Sequence, residues 1–176
     1  MSTVVIYKSK YGATKQYAHW IADELGCEAI DAKGLKCDDL IMYDTIIYGG
    51  GLYAEVINGI SLITKNYELL KNKNLIVFST AITPLECRDY YDKLVVEKNF
   101  EPKMLENVKI FNFMGKMILD ELSLAHKTAL KSLKLIMKNK QNPSDMEKLL
   151  IELCDFNDDK CDKDAIKELI MYVRAL

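Results

Sequence analysis

The sequence predicts a doubly wound α/β fold built on an open, five-stranded parallel sheet, and two observations carry that prediction. Short apolar runs rich in β-branched and aromatic residues recur at 3–8, 45–50, 74–79 and 108–113, with a weaker one at 27–32. Each has the length and composition of a strand buried on both faces. Segments with helical spacing lie between them at about 14–25, 56–71 and 86–98, with a brief stretch near 38–42 fit for a turn or two. Parallel neighbours need crossover connections, so strands alternating with helices imply a sheet covered on both sides. Five strands suit a small doubly wound domain better than a barrel, which needs eight repeats.

Composition agrees with a globular chain. Of 176 residues, 49% are hydrophobic and 28% charged, which excludes a disordered protein and allows a substantial core. The 24 basic and 26 acidic residues leave a net charge of -2, so no overall field recommends nucleic acid as a partner. Cys27, Cys37, Cys87, Cys154 and Cys161 are odd in number and contain no Cys-x-x-Cys pair, which signals neither a disulfide framework nor a zinc site and fits reduced thiols in a cytoplasm. The N-terminus lacks the pattern of a secretion signal, and no stretch has the length of a membrane span.

After Phe113 the alternation stops and the chain reads as helix, giving one domain over 1–176 with a helical insertion or extension at about 116–160. Residues 116–140 form the first candidate, Ser144 and Glu147 a capping box for a second, and Asp162 an N-cap for a third. Along 116–140, Ile118, Leu122, Ala125, Ala129, Leu133 and Ile136 share one face, while Lys127, Lys131, Lys134 and Lys138 gather opposite. A basic amphipathic helix suits an anionic membrane surface or a partner protein. The simpler expectation is a helix that covers the sheet with its lysines in water.

Three segments carry the functional signal. Ser9, Lys10, Tyr11, Gly12, Ala13 and Thr14 occupy a strand-turn-helix junction, where free backbone N–H groups and the helix dipole favour an anion. Hydroxyls at Ser9 and Thr14 can add donors, and Gly12 lets the backbone close around phosphate oxygens. The junction lacks both the triphosphate cradle and the dinucleotide fingerprint, so a single phosphate is the better match. Gly49, Gly50, Gly51, Leu52 and Tyr53 follow the third strand, and Ser79, Thr80, Ala81, Ile82 and Thr83 end the fourth. In an open α/β sheet these ends share the edge where ligands bind, and Tyr53 can stack on a flat ring. His19 and His126 have no evident metal partners, Trp20 suits core packing, and Cys87 reads as an ordinary thiol.

Through "SKYGAT", "GGGLYAEV" and "STAITP", taken in order, residues 3–113 resemble the flavodoxin family. The resemblance implies the strand order 2-1-3-4-5 and a noncovalently bound FMN. Its phosphate would lie at Ser9–Thr14 and its ring between the 50–54 and 80–84 loops, with Tyr53 as the stacking aromatic. Peptide rotation at Gly50 or Gly51 would favour the one-electron-reduced flavin. Tyr11 departs from the threonine that many flavodoxins carry. The implied function is electron transfer through FMN, as a carrier or an oxidoreductase, with a redox protein or a small-molecule donor or acceptor as partner. A helical insertion after the fifth strand also resembles the quinone-linked protoporphyrinogen dehydrogenases of flavodoxin type, which suggests peripheral membrane contact through 116–140. A non-redox interaction scaffold is the further alternative. A phosphoacceptor receiver domain is excluded, since Tyr48-Gly49-Gly50 stands where its aspartate is needed.

Overall fold

The computed structural model describes residues 2–176. Strands β1 (Thr3–Lys8), β2 (Glu28–Asp31), β3 (Thr45–Tyr53), β4 (Asn74–Ala81) and β5 (Val108–Met114) form a parallel sheet in the order β2-β1-β3-β4-β5. This is the doubly wound order expected from the sequence. The alternation of strand side chains divides the core in two. Val4, Ile6, Ile46, Tyr48, Leu75 and Val77 face one side, while Val5, Tyr7, Ile47, Ile76 and Phe78 face the other. Burial on both faces explains why these strands read as continuous apolar runs.

Helix α1 (Ala13–Leu25) lays Tyr17, Ala18, Ile21 and Ala22 on the second face. The expected turn near 38–42 is a single 3₁₀ turn at Cys37–Asp39. The expected helix at 56–71 is broken. Val56 and Ile57 pair antiparallel with Tyr53 and Leu52 as a hairpin on β3, and two short helices follow at Ser61–Thr64 and Tyr67–Leu70. The Tyr48 hydroxyl donates to the Asn58 carbonyl (2.8 Å) and thereby ties this segment to the sheet before a helix can start. The next crossover includes a π-helical turn at Tyr90–Val95 that runs into the α-helical Val96–Asn99.

The tail departs most from expectation. Lys116–Met117 pairs antiparallel with Asp158–Asp159, so the helix expected over 116–140 starts only at Leu124. Helix α2 (Leu124–Lys138) is capped by Ser123, whose hydroxyl accepts the His126 N–H at 3.3 Å. Helix α3 (Asp145–Leu153) has the expected capping box, Ser144 accepting from the Glu147 amide and Glu147 from the Ser144 amide. No residue of α2 is buried, and it packs on α3 instead of covering the sheet. Ala125, Ala129 and Ile136 of the expected apolar stripe are exposed, whereas Leu130, Leu133 and Met137 are half-buried. Ile118 and Leu122 of the stripe lie outside the helix, and the inward side of α2 is the flank of the apolar sector that carries Leu130, Leu133 and Met137.

After the ribbon, Asp162 accepts from the Asp164 amide (2.9 Å) and the chain enters helix α4 (Lys167–Arg174) through a 3₁₀ turn. Ile166, Leu169, Ile170 and Val173 join α1 in the second core. Tyr17 clamps this return: its hydroxyl donates to the Met114 carbonyl (2.8 Å) and accepts from the Asp162 amide (2.9 Å).

Candidate functional site

The first loop is shaped by its own backbone. The Ser9 hydroxyl accepts the Gly12 N–H (3.1 Å), and Gly12 takes φ +95°, a left-handed conformation that disfavours other residues. Gly12 is also the N-cap of α1, which has neither a side-chain cap nor an acidic residue in its first turn. Helices α2 and α3 are both capped by serine. The amino end of α1 thus keeps the unsatisfied donors and positive dipole that suit an anion.

The three segments meet at one edge of the sheet. Thr14, only 2% exposed, brings its hydroxyl to 2.8 Å from that of Thr80. A Cβ placed on Gly51 would stand 3.6 Å from the Thr14 hydroxyl and 3.4 Å from the Tyr53 ring. Thr14, Gly51, Tyr53 and Thr80 therefore cluster as expected. Thr83 is buried as well, and its carbonyl accepts from the Tyr91 hydroxyl (2.5 Å), while Ala81 accepts the Gly115 N–H (2.6 Å). Ile82 is half-buried, Leu52 joins the hairpin, Ala13 is buried at the start of α1, and Lys10 is exposed.

The glycine run is a strand rather than a loop. Gly49, Gly50 and Gly51 pair in register with Phe78, Ser79 and Thr80. A Cβ on Gly50 would fall 2.6 Å from Ile57 and 2.7 Å from the Asn58 carbonyl oxygen, so this position serves close packing. The Gly51 carbonyl accepts the Asn58 N–H at 2.9 Å. Backbone strain lies further on, in the two-residue turn Ala54–Glu55, where φ is +47° and +63°. Buried Asn99 holds this turn: its amide donates to the Glu55 carbonyl (2.6 Å) and its oxygen accepts from the Ile57 amide (2.8 Å). The expected freedom at Gly50 and Gly51 is thus taken up by pairing and packing. Asn99 carried no sequence signal, since its role depends on contacts with residues 42 and 44 positions away.

Two further groups reach the site from the tail. His126 lies with its ring centroid 5.5 Å from that of Tyr53 and 5.5 Å from that of Tyr11. Its Nδ1 is 2.8 Å from the Tyr11 hydroxyl and its Nε2 is 3.2 Å from Lys10 Nζ. His126, for which the sequence offers no metal partner, thus packs beside the expected stacking tyrosine. Burial and the Lys10 charge both hold His126 below its ordinary pKa. Burial pushes Tyr11 up, but hydrogen bonds from Ser123 and the Lys10 charge outweigh it and leave that phenol below its usual range. Burial, reinforced by Tyr11, pushes Tyr53 up to about 12. The second group is Lys116, whose Cε and Nζ stand 3.5 and 3.6 Å from the position a Cβ on Gly12 would occupy. Gly115-Lys116 after the fifth strand was a visible signal for it, but a helical reading of 116–140 places Lys116 inside a helix.

A flavodoxin domain model matches residues 4–147. The chain belongs to the flavodoxin domain family. No curated protein matches the sequence significantly. Solved structures similar to this flavodoxin-domain chain include a flavodoxin from the domain Archaea, at 14% identity and a TM-score of 0.46, covering 99% of each chain. Oxidised Flavodoxin 1 from Bacillus cereus aligns at 18% identity and a TM-score of 0.47, over 69% of this chain and 89% of that one. A flavoprotein in complex with FMN from Lactobacillus acidophilus aligns at 15% identity and a TM-score of 0.41, over 64% and 91%.

Proposed function

We propose that this flavodoxin-domain protein binds FMN noncovalently and passes electrons through it between a donor and an acceptor. The observation that carries the reading is the 2.8 Å approach of Thr14 and Thr80 beside Gly51, which joins three distant segments at the uncapped end of α1. Residues at that end fit a phosphate ester: the loop amides and the Ser9 and Thr14 hydroxyls would hold it, and Gly12 leaves room above them. Tyr53 and the segment Thr80–Thr83 would flank the ring, with His126 as the side chain that must yield or share that face. Bound FMN supplies the one- and two-electron chemistry, while these residues orient it and limit its contact with water.

An absorbance and fluorescence titration of purified protein with FMN tests the reading. A stoichiometric flavin spectrum with quenched fluorescence is expected. Absence of saturable binding overturns it and leaves an interaction scaffold.

One observation favours a second, more specific reading as a quinone-linked dehydrogenase working at a membrane surface. Leu124, Leu135 and Ile136 are exposed on α2 together with Lys131 and Lys138, while Lys127 and Lys134 are half-buried, and among the described residues no helix is long and apolar enough to cross a membrane. Reduction of a soluble quinone by a reduced substrate, together with sedimentation on anionic vesicles, is expected under that reading. Electron exchange only with a reductase protein favours the carrier.

A further inference from the structure

We infer that Lys116 supplies the cation that neutralises the cofactor phosphate; the inference rests on the FMN reading and adds a residue outside the expected phosphate loop. The loop's own lysines are poorly placed for this task. Lys10 is exposed and engaged with His126 at 3.2 Å, and Lys15 lies on the exposed side of α1. Lys116 instead crosses above Gly12 at the start of α1, with its ammonium 3.6 Å from the place a Cβ would fill.

Its backbone is fixed on both sides. Gly115 donates to the Ala81 carbonyl at 2.6 Å and accepts the Lys160 N–H at 3.1 Å, while Lys116 itself pairs with Asp159 across the ribbon. The third expected flavin segment therefore positions the residue that would charge the first.

Charge balance points the same way. The Lys116 side chain is 21% exposed, and its ion-pair partner among the described residues, Glu121, stands at 3.9 Å with 54% of its own side chain in water. Asp159 lies nearby, but its Oδ1 accepts from the Cys161 amide at 2.9 Å. A half-buried ammonium facing the positive end of a helix is unfavourable alone, because the two repel. An anion between them removes the repulsion and satisfies both. A phosphate ester carrying about two negative charges at neutral pH is such an anion.

The test compares FMN with riboflavin, which shares the ring and lacks the phosphate, by fluorescence quenching at two ionic strengths. Lys116→Met is expected to weaken FMN by about tenfold, the scale of one charged hydrogen bond, and to leave riboflavin unchanged. It should also flatten the salt dependence of FMN binding, and Lys116→Arg should retain most of the affinity. Glu121→Gln, at an exposed position, removes the competing carboxylate and is expected to tighten FMN measurably at low salt without affecting riboflavin. Equal losses for both flavins, or an unchanged FMN affinity in Lys116→Met and Glu121→Gln, overturn the role of Lys116. If the unaltered protein binds riboflavin but gains nothing from the phosphate, this inference fails while flavin binding stands. If it binds neither, the FMN reading itself fails.

Discussion

Single side chains decide the shape of the edge where the three loops meet, and Asn99 shows how. Two consecutive non-glycine residues with positive φ are costly, on the order of 1 kcal/mol or more each. The Ala54–Glu55 turn persists because Asn99 satisfies the Glu55 carbonyl and the Ile57 amide and anchors itself on the Val95 carbonyl at 2.7 Å. Asn99→Ala leaves these buried groups without partners and is expected to destabilise the protein by about 2 kcal/mol in urea unfolding. Asn99→Asp keeps the acceptor for Ile57 but loses the donor to Glu55, so it should not restore stability. Full stability in both variants would show that the turn holds itself. None of this was legible beforehand. An asparagine within a helical segment looks like any polar surface residue until the fold brings the hairpin to it.

At the scale of elements, strands and capped helices were legible, and the tail was legible only in part. The strands β1, β3 and β4 announced themselves because burial on both faces makes them mostly apolar, and the edge strand β5, in which only Val108 and Phe113 are buried, was legible from its aromatic and β-branched residues. The capping box at Ser144 and the cap at Asp162 depend on neighbours in sequence and so were visible too. Helix α2 starts later than expected because Lys116 and Met117 pair with Asp159 and Asp158, partners 43 and 41 positions away that periodicity cannot see. The consequence is functional. The first turn of α2 places Ser123 and His126 on Tyr11, Lys10 and Tyr53, joining the insertion to the candidate flavin site. His126 has a depressed folded-state pKa, so its contribution to stability is present above the unfolded value and is lost as pH falls through the folded one. The protein should therefore lose stability relative to His126→Gln as pH drops below about 6.5. Thermal unfolding of the two proteins across that interval checks the sign, and parallel curves would show that the histidine contact does not titrate in this way.

The whole molecule is a sheet with its helices plus an excursion that leaves and returns at one point. Gly115 and Lys160 are joined by a 3.1 Å hydrogen bond, and the ribbon pairs Lys116 with Asp159 and Met117 with Asp158. The chain between them supplies no residue to either buried core cluster, although Met146 packs against one from outside. The chain after it does: Ile166, Leu169, Ile170 and Val173 complete the second core, and Tyr17 ties β5 to the return. The sequence revealed that a helical segment follows β5 but not that only its last helix belongs to the sheet, because both portions have helical spacing. Replacing residues 118–157 with Asn-Gly, a dipeptide that favours the tight turn joining paired strands, should therefore leave the sheet intact. The shortened protein is expected to unfold cooperatively and to keep the amide spectrum of the sheet residues, with Lys116 still beside Gly12. It should bind FMN at least as fast as the full chain, since His126 no longer covers Tyr53. Loss of cooperative unfolding would show that α2 and α3 are part of the core. Slower or weaker FMN binding in a folded variant would show that the insertion helps to build the site instead of covering it.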